Sequence, residues 1–271
     1  MNSMYSPNPS ARLSLTLRLV LLCVALIASA CTSTGPRPSV TNKQELTQAD
    51  KALIHARLAR NYLAQKQYAV AKSELEKALR INPGHSDSNY VMALLMMELQ
   101  QYDTAEKHFT RAVKSNKRNS AAAHDFGMFL CQTGRERRAV DYFELAAANP
   151  LFERSELSYM RAGECLSKIS DPAAEQYLKR ALSVNPELRP ALYQLAVLKY
   201  QAGAFLSARA YVERYLAVTP PRAEALWLAY QVESKLNALE VAEAYRQLLM
   251  KEFPGSEEAG LARALSSRPS S

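Results

Sequence analysis

Small and apolar residues recur along this chain at helical spacing, and the recurrence is itself repeated. Alanine stands at Ala71, Ala105, Ala139, Ala174, Ala208 and Ala242, at intervals of 34, 34, 35, 34 and 34 residues. Twelve residues before each stands a second small residue, Ala59, Ala93, Gly127, Ala162 and Ala196, with Tyr230 in the last unit. Four residues after each stands an apolar one, Leu75, Phe109, Phe143, Leu178 and Val212, with Arg246 in the last unit. Proline follows at Pro83, Pro186, Pro220 and Pro254. Self-similarity at this period predicts an array of helix–turn–helix units. The small residues mark where the paired helices come closest, and the prolines fall between units, where they break no hydrogen-bond ladder. No run alternates apolar and polar residues between turn signals, so no strand is predicted.

The pattern of a small residue in the first helix, Ala-x3-Phe in the second, then proline resembles the tetratricopeptide repeat (TPR). The resemblance implies an all-α, right-handed superhelical solenoid of six repeats, at 52–85, 86–119, 120–154, 155–188, 189–222 and 223–256. Stacked repeats bury their apolar stripes on one another, so 47–256 reads as one elongated domain. Thr47, with Asp50 three places on, reads as the N-cap of the first helix. Ser256, followed by Glu257 and Glu258, caps a short final helix running to about Leu265; residues 257–271 are this capping helix and an unstructured SSRPSS tail.

Residues 1–30 read as a targeting segment. Arg12 and Arg18 precede the apolar run LVLLCVALIASA, which at 12 residues falls short of the roughly 20 needed to span a bilayer. The run ends in Ala28-Ser29-Ala30-Cys31, which resembles the bacterial lipobox. That resemblance implies cleavage before Cys31 and acylation of Cys31 with palmitate-type chains; the alternative is an ordinary secretory leader cut after Ala30. More than one acyl chain makes the anchor stable. Thr32, rather than aspartate, after the cysteine points to the outer membrane. Residues 31–46 then form a polar, lipidated, flexible tether; its fifteen residues after Cys31 reach at most about 50 Å.

The TPR resemblance also places a partner groove along the first helices. Its candidate residues are Leu53, Leu63, Tyr90, Leu94, Met97, Met128, Tyr159 and Tyr193, with Val197 and Trp227 further along. The stretch VMALLMMEL in the second repeat is too apolar for one buried stripe, so part of it is expected to face the groove. Methionine and tyrosine suit an adaptable peptide-binding wall. The alternative for each residue is packing between repeats. Cys131 and Cys165, one repeat apart on adjacent first helices, are expected to form a disulfide in an exported protein; the alternative is two buried free thiols.

The formal net charge is +8 over 271 residues, and about +6 once Arg12 and Arg18 leave with the leader. Acids and bases are mixed along every helix, and the densest basic clusters, Lys114–Arg118 and Arg135–Arg138, read as solvated helix ends. Export makes a nucleic-acid partner poor. The four histidines are scattered, and no zinc-protease motif, phosphate loop or glycine-rich fingerprint occurs. No catalytic residue, metal site, cofactor or small-molecule substrate is therefore assigned, and a non-enzymatic binding role is expected.

Taken whole, a lipobox leader, a short tether and six repeats resemble the type IV pilus biogenesis/stability lipoproteins, the secretin pilotins of the PilF/PilW kind. LARNYLAQKQYAVAKSELEKALRINP in the first repeat and FGMFLCQTGRERRAVDYFELAAANPLF in the third carry the resemblance, with the paired cysteines. It implies a lipid-anchored, periplasm-facing outer-membrane protein. Its groove would bind the type IV pilus secretin subunit and promote secretin localisation and multimerisation. The same fold and anchor would also suit a general scaffold for cell-wall or outer-membrane protein assembly, or a pilus-stability factor.

Overall fold

A computed structural model of the chain describes residues 46–218 and 220–266. The leader, Cys31, the tether up to residue 45 and the tail beyond Ser266 lie outside the described residues. Those that are described form thirteen α-helices and no strand. The helices are α1 (Gln48–Ala64), α2 (Tyr68–Ile81), α3 (Ser86–Glu98), α4 (Tyr102–Ser115), α5 (Ser120–Gln132) and α6 (Glu136–Ala147). They continue with α7 (Ser155–Lys168), α8 (Ala173–Val184), α9 (Arg189–Gln201), α10 (Phe205–Ala217), α11 (Ala223–Lys235), α12 (Leu239–Glu252) and α13 (Glu257–Ser266). Six antiparallel pairs stack into a helical solenoid, and α13 packs on α11 and α12.

The six recurrent alanines open the second helix of each pair, and none is more than 3% exposed. They let the paired helices approach closely. The small residues opposite them are equally constrained. A Cβ on Gly127 would stand 2.8 Å from the Phe143 ring, and one on Gly163 would stand 2.6 Å from Leu178 and 3.0 Å from the Ala174 carbonyl oxygen. Around these contacts the apolar residues fill the core, with Phe109 stacked on Phe126 at 5.2 Å and tilted on Phe129 at 5.6 Å.

Each pair turns through one residue in the left-handed region: Lys66, Gln100, Gly134, Ser170, Gly203 and Asn237, with φ between 55° and 75°. The next backbone N–H then reaches back five residues to the end of the first helix, as in Gln67 N to Tyr62 O (2.8 Å) and Ala238 N to Glu233 O (2.9 Å). This is the Schellman termination, which satisfies carbonyls the helix end leaves open. Between repeats, asparagine closes the turn. The side chains of Asn82, Asn116 and Asn185 accept N–H bonds from Gly84, Arg118 and Glu187 at 3.0–3.1 Å. Asn116 does so in the one repeat that has no proline. At the N-terminus, Thr47 Oγ1 accepts the Asp50 N–H while Asp50 accepts the Thr47 N–H, a capping box. Ser256 caps α13 by accepting the Ala259 N–H at 3.1 Å.

Most of the apolar stretch of α3 is core: Val91, Met92, Ala93, Leu95 and Met96 are buried. Helices α1, α2 and α4 all pack on α3, so it needs an apolar surface on most sides. Leu94 and Met97, both candidate groove residues, are left half-buried at its edge, and Leu99 just beyond it is 36% exposed.

Charges taken into this core are paired. Glu233 is 2% exposed and receives both Nε (2.8 Å) and Nη2 of Arg209. Glu74 accepts from Lys77 at 2.6 Å and contacts His55 at 2.7 Å. His108 donates from Nδ1 to Asn89 Oδ1 at 2.9 Å, an acceptor because Asn89 Nδ2 already donates to two carbonyls. His124 Nδ1 lies 2.8 Å from Ser158 Oγ. Burial holds both imidazoles below their ordinary pKa, helped by Arg111 at His108 and by Arg154 and Arg161 at His124, where Asp125 opposes them.

Two predictions follow from this architecture. Lys66→Gly and Gln100→Gly relieve a left-handed conformation that costs an L-residue more than glycine. Each is expected to raise stability by up to about 1 kcal/mol, whereas Gly163→Val is expected to lower it by about 1–3 kcal/mol by overpacking; urea midpoints at unchanged slope check both. The second concerns pH. As the pH falls below about 6.5, the unfolded chain protonates histidines that the folded chain keeps neutral, so stability falls. A second loss is expected as the pH falls below about 4.5, where the unfolded chain takes up protons on Glu106 and Glu144 that the cation-paired carboxylates of the folded chain still hold off. The paired substitution His108→Gln, His124→Gln is expected to flatten the slope between pH 7 and pH 5.5 and leave the lower one in place.

Candidate functional site

The first helices of the repeats line two recesses. The larger is a cavity of about 600 Å³ walled by α5, α7 and α9. Its apolar surface comes from Met128, Tyr193, Val197 and Leu198, its polar rim from Gln132, Arg161, Glu164, Lys168 and Gln201. Cys131 also lines it and is bonded to Cys165, with Cα atoms 5.8 Å apart, so a disulfide ties α5 to α7 beside the cavity. Glu164 is fully engaged: one oxygen accepts from Arg161 Nη1 at 2.6 Å, the other from Gln194 Nε2 at 2.5 Å. The other end of the Gln194 amide, Oε1, is buried and meets no protein donor.

The smaller recess, about 250 Å³, lies where α1 meets α3 and is lined by Leu53, Arg57, Arg60, Asp87, Tyr90 and Asn119. Asn119 Nδ2 donates to Asp87 at 2.9 Å. Arg60 stands over the Tyr90 ring at 5.4 Å. Tyr90 donates its hydroxyl to Asp125 at 2.5 Å. Burial, with the Asp125 carboxylate against it, pushes its phenol well above the ordinary range.

The predicted groove residues divide between these places and the core. Cys31 lies outside the described residues. Leu53 borders the small recess; Met128 and Tyr193 border the large cavity. Leu63, Leu94 and Met97 are half-buried and pack on the core through repeats one to four. Tyr90 also borders the small recess, but it is only 7% exposed and tilts against Phe109 at 6.4 Å. Tyr159 also turns from an open wall: Arg180 covers its ring at 4.3 Å and donates to its hydroxyl at 3.2 Å. That arginine also binds Glu144 at 2.8 Å and holds its carboxyl below the usual range. Tyr90, His124, Tyr159, Tyr193 and Trp227 occupy equivalent positions in successive repeats. At the first four of these the side chain turns onto a neighbouring helix: Asp125, Ser158, Arg180 and Tyr215 are the partners.

Sequence reasoning missed Arg161, Glu164, Lys168 and Gln194. Their polarity at helix positions looked like solvated surface, and only the fold brings them to one rim. Each described histidine has a hydrogen-bonding neighbour, and among the described residues no group of three or more His, Cys, Asp or Glu is placed to hold a metal.

Comparison with known proteins agrees with the fold and narrows the relationship. A tetratricopeptide-repeat family profile matches residues 62–126. The type IV pilus assembly protein PilF of Pseudomonas aeruginosa is 24% identical over 239 residues, which cover 88% of this chain and 93% of that protein. Among solved structures, PilW, described as a widely conserved type IV pilus biogenesis factor, superposes with a TM-score of 0.61 at 28% identity, covering 80% of this chain and 98% of PilW. The structure of Pseudomonas aeruginosa PilF gives 0.65 at 22% identity, covering 80% and 99%. The chain has the tetratricopeptide-repeat fold and is similar in sequence and structure to the type IV pilus proteins PilF and PilW.

Proposed function

We propose that this chain is a lipid-anchored pilotin of type IV pilus biogenesis. It binds the pilus secretin subunit and promotes its localisation and multimerisation in the outer membrane. The observation that carries the reading is the match to PilF along nearly the whole length of both chains, which a shared repeat alone would not require. Two features of the sequence support the finer steps. The leader ends in Ala28-Ser29-Ala30-Cys31, the substrate expected for acylation at Cys31, and Thr32 favours onward transport. The polar tether from 32 to 46 lets the repeats work at a distance from the bilayer. Membrane anchoring and groove binding act together, because a tethered site meets an outer-membrane partner at a raised effective concentration.

In a deletion strain the secretin is expected to remain monomeric or to collect in the inner membrane. Unboiled, density-separated membranes run on a gel check this. Cys31→Ala is expected to give the same defect with the repeats intact. Normal outer-membrane multimers in the deletion strain would remove the pilotin reading in favour of a pilus-stability factor or a general envelope scaffold.

A further inference from the structure

The second helices carry their charge unevenly along the array. Two, six and nine residues after each recurrent alanine, they present one exposed stripe at helical spacing. In repeats one and two it reads Ser73, Lys77, Arg80 and then Lys107, Arg111, Lys114, all exposed. In the four later repeats the same positions hold three cations, and each is engaged: Arg180 by Glu144, Arg214 by the Pro186 carbonyl oxygen and Lys251 by Glu252. In repeats one and two only Lys77 is engaged, by Glu74. Arg80, Lys107, Arg111 and Lys114 form no ion pair among the described residues, and neither do Lys72 on α2 or Lys117 and Arg118 in the turn after α4.

The acids do not offset this. On α2 and α4, Glu74 is taken by Lys77, and Glu106 by Arg135 and Arg138 of α6, which leaves Glu76 and Asp103. The imbalance holds for the whole of these repeats. Residues 46–119 carry twelve lysines and arginines against seven acids, whereas 120–266 carry seventeen against eighteen. Like charges one turn apart on a helix destabilise it, so water alone does not favour Lys107, Arg111 and Lys114 on one stripe of α4. An anionic surface does.

Two observations select which surface. The tether joins the solenoid at Leu46, the start of repeat one, so the basic repeats are those next to a membrane anchor at Cys31. At the start of α2 and α4, Val70 is 40% and Tyr102 50% exposed, and tyrosine is a side chain that settles at headgroup level.

We infer that the exposed faces of α2 and α4 dock on an anionic phospholipid bilayer, with Lys72, Arg80, Lys107, Arg111 and Lys114 against headgroup phosphates. This rests on the lipid-anchored reading only for what brings the patch to the bilayer. The tether supplies effective concentration and lets the repeats stand off; the patch draws repeats one and two down where the leaflet is anionic. Docked by its second helices, the chain keeps its first-helix recesses free of lipid.

The test places the mature protein in vesicles of phosphatidylcholine, alone or mixed with phosphatidylglycerol, and labels lysines with a membrane-impermeant amine reagent read by mass spectrometry. In the mixed vesicles Lys72, Lys107, Lys114 and Lys117 are expected to label roughly fivefold more slowly or slower still. Lys168, Lys179, Lys235 and Lys251 are expected to label equally in both, and high salt is expected to remove the difference. Arg80→Glu, Arg111→Glu and Arg118→Glu together leave these lysine probes in place; they are expected to weaken docking by roughly 100-fold and restore labelling. The same charge change at Arg222, Lys235 and Lys251 is expected to leave the protection intact, and circular dichroism and thermal melts establish that both variants fold. Equal labelling in the two vesicles, protection spread over all lysines, or protection that survives the three arginine changes overturns the inference. So does protection seen in whole cell envelopes but not on vesicles, which would belong to another anionic partner. The mass of the mature protein separates the two levels. Acylated protein whose lysines label alike keeps the anchor and overturns the patch. Protein without acyl chains removes the anchor reading, and sedimentation with the mixed vesicles then decides: wild type is expected to sediment and the arginine variant to stay behind, and wild type left in the supernatant overturns the inference.

Discussion

Everything in this solenoid depends on how closely two helices approach at one point per repeat. In the first five repeats an alanine opening the second helix faces an alanine or glycine in the first, and the axes come as near as backbone and methyl groups permit; Tyr230 takes that place in the sixth. That approach positions the residue one turn further on. Leu75, Phe109, Phe143 and Leu178 drop fully into the core because the preceding turn has brought their helix close enough. Gly127 shows the limit most plainly, since the Phe143 ring occupies the space a methyl group would need. No single pair can cover its apolar stripe, so the constraint is passed on from repeat to repeat, and stability becomes a property of neighbours.

The period was legible because this constraint admits so few residue types. Six alanines in phase announce six hairpins, and the cap residues Thr47 and Ser256 announce where the helical array begins and where its last helix starts. The turns within hairpins were not legible. Every one needs a left-handed residue, but only Gly134 and Gly203 advertise it; Lys66, Gln100 and Ser170 adopt it at a cost, because closing the two helices on the alanine contact over-determines the backbone there. The groove was half legible for a related reason. Position in the repeat says that Tyr90, Tyr159 and Tyr193 stand on the first-helix face. It does not say which way each ring turns, which is decided by Asp125, Arg180 and Tyr215 on other helices. Polar residues fared worse. Gln194 and Glu164 are 30 residues apart, and nothing in either one's own helix distinguishes it from solvated surface.

The disulfide gives the cavity a property the rest of the array lacks. In a solenoid, groove shape follows from small rotations between neighbouring repeats, and non-covalent contacts leave those rotations soft. Cys131 and Cys165 fix one of them, joining α5 to α7 where both line the cavity. Closing a loop of 34 residues also constrains the unfolded chain, a contribution of about 3–4 kcal/mol on the entropic account. The Arg161–Glu164–Gln194 chain of bonds links α7 to α9 on the other side. Two of the three helices around the cavity are thus tied covalently and the third by charge-assisted hydrogen bonds. A site held in this way loses little freedom when it is filled. Half-buried Leu94 and Met97 of α3, which pack on the core and carry no such ties, can only adjust to whatever lies over them. Covalent and charge-assisted ties thus hold repeats three to five together around the cavity, whereas at the α3 edge softer apolar packing bears that load.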